Sequence, residues 1–133
     1  MSHSYFTGRL APLASERYQM QFGVSASSSE YVVASELLQG ACECIEKLEG
    51  KPFHGALVVE AQSFSPEVKS HLQEIKNLLQ SKEGLALENL DWSSLMKHPV
   101  WLAIRLHASG ALSGLGVILE EWEKEELEAK NAL

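Results

Sequence analysis

Apolar residues in the second quarter of the chain recur at intervals of three and four positions, the spacing that places side chains on one face of a helix. Gly50 lies where this pattern ends, and Ser27 and Glu30 have the spacing of a capping box near its start. We therefore predict a helix over residues 28–49. Its buried face consists of Ala34, Leu37, Leu38, Ala41, Ile45 and Leu48.

A second helix begins at a clear local signal. Ser65 supplies a hydroxyl cap, Pro66 suits the first helical position, and Glu67 places an acid in the first turn. The three-and-four spacing then continues, and Gly84 follows as the expected end. We predict a helix over residues 66–80. Its buried face consists of Val68, Leu72, Ile75 and Leu79.

The last third of the chain holds its longest apolar stretch. Between residues 100 and 119 only Arg105 and His107 are charged or titratable, and glycines and serines interrupt the pattern. These polar and small residues argue against a membrane span, so we predict a largely helical region over residues 100–129 that begins at Pro99. The glycines either break this helix or let another backbone approach closely. One stripe contains Trp101, Ala108, Leu112, Leu115, Leu119 and Trp122, while Leu102, Leu106, Val117 and Ile118 fall on other faces.

The remaining segments carry weaker patterns. Residues 18–24 alternate apolar and polar side chains like a half-buried strand, whereas the apolar run over residues 55–62 fits either a strand or a helix. Residues 1–17 show no sustained period, which predicts an extended or mobile arm. Residues 85–90 suit an extended connector, after which Asp91 caps a short helix.

Together these elements predict an all-α fold in a single domain spanning residues 1–133. We expect a bundle of about four helices, with or without a two-stranded hairpin that pairs 18–24 with 55–62. Residues 120–133 contribute −4 of the net charge and predict an acidic, solvated helical tail. The predicted core contains Leu37, Leu38, Ile45, Leu72, Ile75, Leu112 and Leu115.

Composition narrows the class of protein. The 133 residues are 45% hydrophobic and 22% charged, which suits one globular domain, and the net charge of −7 disfavours nucleic acid as a partner. The only cysteines, Cys42 and Cys44, lie too far apart around a helix to bridge and are too few for a zinc site. With no secretory signal at the start, we predict a cytoplasmic protein without a metal or cofactor.

Candidate chemistry is sparse. The chain has five histidines but a single aspartate, Asp91, and no Gly-x-Ser-x-Gly motif, so a Ser-His-Asp arrangement has little support. His98 and His107 would face opposite ways on a straight helix, because nine residues correspond to about 180° of rotation. We expect His98 to cap a helix and His107 to be hydrogen-bonded in the interior. The sequence therefore predicts that the protein is not an enzyme.

A helix that is apolar on several faces is either central in a bundle or shared with a partner. The sequence thus favours a small acidic protein that acts by protein–protein interaction, such as a regulatory inhibitor, an immunity protein or a chaperone-like adaptor, and that forms a homodimer. Arg105 lies on the apolar stripe, where a charge needs a fixed partner: an internal glutamate or an acid on another protein. The predicted partner-binding residues are Trp122, Leu119, Leu115, Trp101 and Arg105.

An alternative function is a small-molecule site, either in a binding protein or in a minor enzyme. Trp101, Arg105 and His107 would line a pocket in the interior of the bundle, where a cation among aromatic rings suits an organic acid. The two hypotheses differ in a simple observable. Association predicts a mass that depends on concentration, whereas an enclosed pocket predicts a monomer whose melting temperature rises with ligand.

Overall fold

The computed structural model describes residues 4–25, 32–51 and 55–131, with side chains described as far as residue 127. These ranges are helical and contain no strand, which confirms the all-α class. The helices are α1 (Ser4–Ala14), α2 (Glu16–Gln19), α3 (Ala34–Leu48), α4 (Ala56–Gln62), α5 (Pro66–Gln80), α6 (Lys82–Leu85), α7 (Trp92–Leu95), α8 (Pro99–Gly114) and α9 (Leu119–Asn131), with a π-turn at Met20–Val24 and a 3-10 turn at Leu87–Asn89.

The N-terminal segment, predicted as an extended or mobile arm over residues 1–17, is helical from Ser4 onward. Phe6, Leu10 and Leu13 are fully buried, so α1 is part of the core and the prediction is wrong. Their spacing of four and three residues is that of one helical face. Gly8 and Pro12, read as signs of an irregular segment, both lie within this helix.

The predicted hairpin is also wrong, because both of its segments are helical. Residues 18–24 form the end of α2 and the π-turn, where the rings of Tyr18 and Phe22 pack at 4.9 Å across one turn. Met20 and Val24, which a strand would bury with Phe22, are 43% and 37% exposed. Residues 55–62 contain α4. The alternating pattern was therefore compatible with a helical face as well as with a strand.

The helix predicted over residues 28–49 is present but begins later, at Ala34. Val33 precedes it in an extended conformation and offers no side-chain cap. Ser27 and Glu30, the predicted capping box, lie outside the described residues. The helix ends at Leu48, and Gly50 follows with a φ of 79°, as expected for a glycine that ends a helix.

The helix predicted over residues 66–80 is confirmed in full. The Ser65 hydroxyl accepts a hydrogen bond from the amide of Val68 at 3.3 Å, as its capping role requires. The prediction of an extended connector over residues 85–90 is wrong. Ser81 caps the short helix α6, which ends at Leu85, and a 3-10 turn follows at Leu87–Asn89. Asp91 caps α7 through the amide of Ser94, as predicted.

The region over residues 100–129, predicted to be largely helical, forms two helices with a break between them. α8 begins at Pro99 with His98 as its cap, and the chain bends by 102° between α8 and α9. Gly116 adopts a φ of 81° in the connection, so a glycine marks the break. The predicted stripe from Trp101 to Trp122 is consequently divided between two directions.

Within the described residues, no single helix is both long and apolar enough to cross a membrane. The bent pair of α8 and α9 passes that test by length and composition when the two are taken together.

α8 makes its most extensive contacts with α5 on one side and α1 on another. Small residues allow the close approach of α5: a Cβ atom on Gly110 would lie 2.5 Å from the His71 ring, and one on Gly114 would lie 2.5 Å from Val68. The glycines of this region therefore have both of the roles considered from the sequence: Gly116 lies at the break between two helices, and Gly110 and Gly114 allow a neighbouring helix to approach closely. Of the predicted core, Leu115 is half-buried against the cluster, while the others are buried: Leu37, Leu38, Ile45, Leu72, Ile75 and Leu112.

Candidate functional site

A buried glutamine joins three segments on one side of α8. The Gln19 side-chain nitrogen donates to the backbone carbonyls of Pro12 at 3.0 Å and Leu13 at 2.7 Å. Its oxygen accepts from the Trp101 indole at 3.0 Å and from the Arg105 guanidinium at 2.9 Å. All four hydrogen-bonding positions of the amide are thus used, as a fully buried amide requires. Gln19 fixes the end of α1, α2 and α8 relative to one another.

Arg105 is held mainly by this glutamine rather than by a glutamate. The nearest carboxylate is that of Glu16, an exposed residue whose oxygen lies 4.0 Å from the guanidinium, and the sulfur of Met96 lies at 3.4 Å. Desolvation lowers the pKa of Arg105 while the charge of Glu16 raises it. The Nε atom is buried and donates no hydrogen bond. The prediction was an internal glutamate or an acid on another protein; the main partner is instead the amide of Gln19, which no pattern in the sequence indicates.

The predicted pocket around Trp101, Arg105 and His107 is not formed by these three side chains. Trp101 is fully buried and bonded to Gln19, whereas His107 is hydrogen-bonded to His71 on the α5 side. Arg105 instead borders a shallow surface depression of about 400 Å³. Its lining residues are Ala14, Leu102, Arg105, Leu106 and Ser109.

The side of α8 that faces solvent carries two exposed leucines and no charge along its centre. Leu106 is 72% exposed and Leu102 is 41% exposed, and Ser109 and Ser113 continue the same side toward the end of the helix. We call these four residues the outer face of α8. An exposed helical surface normally carries charged side chains, and the outer face of α8 carries none.

The residues predicted to bind a partner lie in different environments. Trp101 is in the core, so it is not a surface residue. Leu115, Leu119 and Trp122 are half-buried and pack against the core cluster. The Trp122 ring lies 5.8 Å from that of Tyr18, and the Glu123 carboxylate accepts from the buried Ser15 hydroxyl. The N-terminal helices, which the sequence analysis predicted to be an arm, therefore cover part of α9.

Sequence reasoning missed Gln19 and undervalued Leu106. Gln19 was interpreted as a polar position of a strand, and nothing in its neighbours indicates four hydrogen bonds. Leu102 and Leu106 were noticed as apolar residues off the main stripe, and their spacing of four residues on an uncharged face was a usable signal.

His98 and His107 play separate structural roles, as their spacing predicted. The His98 ring caps α8 by accepting from the Val100 amide at 3.1 Å. Among the described residues, no group of three or more histidine, cysteine, aspartate or glutamate side chains is arranged to hold a metal ion. Cys44 is buried and Cys42 is exposed, and both are free thiols.

Comparison with known proteins adds no identification: no family model, no curated protein and no solved structure matches this chain.

Proposed function

We propose that this protein acts through protein–protein interaction and that the outer face of α8 binds a second copy of the chain. The observation that carries the proposal is the exposure of Leu106, 72%, on a helix whose two other sides already pack against α5 and α1. Leaving leucine side chains in water forgoes the free energy of their burial, about 1.5 to 3 kcal/mol for a complete side chain. A partner surface recovers part of it.

The spacing of the outer face supports a second copy as the occupant. Leu102, Leu106, Ser109 and Ser113 are separated by four, three and four residues, the spacing of a coiled-coil seam. In a two-fold antiparallel pair of α8 helices, Leu106 meets Ser109 of the second copy and Leu102 meets Ser113 of the second copy. Each leucine then opposes a small side chain, so the two faces are complementary in volume. Because the same face is used on both copies, the arrangement forms a closed two-fold dimer.

Charge also permits this arrangement. The outer face is uncharged, so pairing it with itself brings no like charges together at the seam. The net charge of −7 on each copy still opposes association at longer range. Added salt screens this repulsion, so we expect self-association to strengthen between low and physiological ionic strength, whereas binding to a basic partner would weaken.

Sedimentation velocity over about 1 to 300 µM protein tests the proposal, because one helix face is a small interface and we expect a dissociation constant in the micromolar range. Leu106→Glu places a charge at the seam, and Leu85→Glu is its matched control, since Leu85 is 69% exposed on α6. We expect the wild type and the control to dimerise and Leu106→Glu to remain monomeric. A wild type that is monomeric throughout, or a Leu106→Glu variant that dimerises like the control, contradicts the proposal.

A second candidate function, binding of a small organic acid, is favoured by one observation. The buried Nε of Arg105 donates no hydrogen bond, and the guanidinium borders the depression beside Leu102. A carboxylate there would gain charge-assisted hydrogen bonds. Thermal unfolding of the wild type with citrate, succinate or benzoate tests this: a rise in melting temperature that Arg105→Gln removes, in a protein that stays monomeric, favours ligand binding over association.

A further inference from the structure

Two histidine rings meet between the two helices that pack most extensively. His71 on α5 and His107 on α8 are both half-buried, and their Nδ1 atoms lie 3.1 Å apart. The ring centroids are 5.3 Å apart, so the two nitrogens face each other nearly along the line that joins the rings. Gly110 makes room for the His71 ring on the α8 side. This contact is independent of the outer face of α8.

A hydrogen bond between two Nδ1 atoms restricts the protonation of both rings. One Nδ1 must carry the proton and the other must offer its lone pair, so the two neutral rings hold opposite tautomers. One additional proton is tolerated, because the donor ring can be an imidazolium while the acceptor ring stays neutral. A second additional proton places N–H groups on both Nδ1 atoms and two positive charges side by side, which breaks the hydrogen bond and makes the contact repulsive.

The geometry favours a shared proton over a shared metal ion. Two imidazoles that bind one ion converge on it at an angle, which brings their centroids closer together than in a direct, nearly linear contact. A structural metal site also needs further ligands, and the described residues place no third ligand beside the pair.

Neighbouring charges do not neutralise a doubly protonated pair. The positions of α8 one turn from His107 are uncharged, and Arg105 is engaged with Gln19. Arg9 on α1 pairs with Glu43 of α3, Glu123 on α9 binds Ser15, and Glu49 at the end of α3 pairs with Lys76. On α5, Glu67 and Glu74 lie one turn from His71 but are solvent-exposed, where water and salt screen their charge, and the half-buried Lys69 adds positive charge. Lys82 and Glu83 on α6 are also solvent-exposed.

We propose that His71 and His107 form an acid-sensitive clasp that holds α5 against α8 near neutral pH and opens when both rings are protonated. Two Nδ1 atoms that both carry a proton cannot form this hydrogen bond, so the clasp contributes stability only while one of the two Nδ1 atoms is unprotonated. Acid that protonates both rings removes that contribution.

Urea unfolding at pH 7.5 and pH 5.0 tests the clasp in the wild type and in His71→Gln and His107→Gln. Ser70→Gln on the exposed side of α5 is the control, because it introduces a glutamine on one of the two helices and leaves both rings in place. We expect the midpoint to fall on acidification by about 0.5 M more in the wild type and the control than in either clasp variant. An equal fall in all four proteins overturns the proposal.

Imidazole nitrogen NMR of the wild type provides a second readout that requires no variant. We expect opposite tautomers for His71 and His107 at pH 7.5, and a coupling between the two Nδ1 nuclei that is lost when acid protonates both rings. Two rings of the same tautomer, or spectra in which the rings titrate independently, would show that no proton is shared.

Discussion

At the scale of single residues, the molecule depends on polar side chains placed in apolar surroundings. Gln19 is fully buried, and its amide satisfies two carbonyls, an indole and a guanidinium. For the buried Leu13 carbonyl and Trp101 indole, the hydrogen bond mainly avoids the free-energy cost of a buried polar group without a partner, while the bonds to Pro12 and Arg105 are only partly buried. Gln19 therefore determines how α1, α2 and α8 meet.

Replacing Gln19 with leucine keeps a similar volume but removes all four hydrogen bonds. The Trp101 indole and the two carbonyls are then left without partners, at about 1 to 3 kcal/mol for each buried group. We expect Gln19→Leu to lower the free energy of unfolding by about 3 kcal/mol or more. Chemical denaturation measures this, with Gln39→Leu on the exposed side of α3 as a control that changes stability by less than about 0.5 kcal/mol. Equal stability of the two variants would contradict the role of Gln19.

The two cysteines should differ in reactivity despite their proximity in sequence. Burial raises the pKa of Cys44 to about 12, and it also raises the pKa of the exposed Cys42. Iodoacetamide at pH 8 should label Cys42 slowly and Cys44 only after unfolding, which mass spectrometry of the folded and urea-treated protein can measure.

Because folded Cys44 retains a proton that the unfolded chain releases above about pH 9, stability should fall as the pH rises from 9 toward 12. Rapid labelling of Cys44 in the folded state would contradict its burial.

At the scale of helices, the way in which α5 passes into α6 depends on Gly84. Sequence reasoning used this glycine as a stop signal for the helix, but α5 has already ended at Gln80. In the structure Gly84 lies against the last turn of α5, where a Cβ atom would be 1.9 Å from the Leu78 carbonyl oxygen. The close approach of two backbone segments, rather than the end of a helix, explains the glycine.

Gly84→Ala should therefore destabilise the protein by about 2 to 3 kcal/mol, because a backbone carbonyl cannot move aside as a flexible side chain can. Gly8→Ala is the matched control: Gly8 lies inside α1 with open space around its missing side chain, so alanine should stabilise by about 0.5 to 1 kcal/mol. Thermal unfolding of the two variants should show a lower melting temperature for Gly84→Ala and a higher one for Gly8→Ala. A neutral Gly84→Ala would show that α6 does not pack on α5 as described.

The orientation of α9 depends on contacts with the start of the chain. Trp122 packs beside Tyr18, and Glu123 binds Ser15, so we expect Trp122→Ala to lower the free energy of unfolding by about 1 to 3 kcal/mol. The same variant tests the prediction that Trp122 binds a partner. If Trp122 contributes to dimerisation, sedimentation of the folded variant shows weaker association; if it only closes the core, the dimer is unchanged. An unchanged stability would contradict the packing on Tyr18.

Local signals explain which elements the sequence could predict. α5 and α7 begin at side-chain caps, Ser65 and Asp91, that lie next to the segment they start, so both were predicted correctly. The segment of residues 18–24 was misassigned because its alternating pattern also satisfies one turn of a helix, and only tertiary packing decides between them. α1 was not predicted because Gly8 and Pro12 indicate an irregular segment, although the apolar residues around them have the spacing of one helical face.

The α8 surface was partly predictable, since it is uncharged in sequence, but which of its sides stays uncovered depends on the packing of α5 and α1.

At the scale of the whole molecule, the fold uses α8 as its central helix and leaves one side of it open. The chain carries a net charge of −7, yet the outer face of α8 is uncharged. The outer face is therefore one small apolar area without charges on it, which we propose is covered by a matching surface. The proposed antiparallel pair uses that area and makes each leucine oppose a serine.

Disulfide crosslinking across the α8 seam tests this account most directly. In a Cys42→Ser background, where Cys44 is buried, we would mix Leu106→Cys protein with Ser109→Cys protein under mild oxidation. The antiparallel register predicts rapid formation of the mixed dimer, and Leu85→Cys mixed with Ser109→Cys is the control that should remain uncrosslinked. Mixed dimers that form no faster with Leu106→Cys than with Leu85→Cys would contradict the proposed interface.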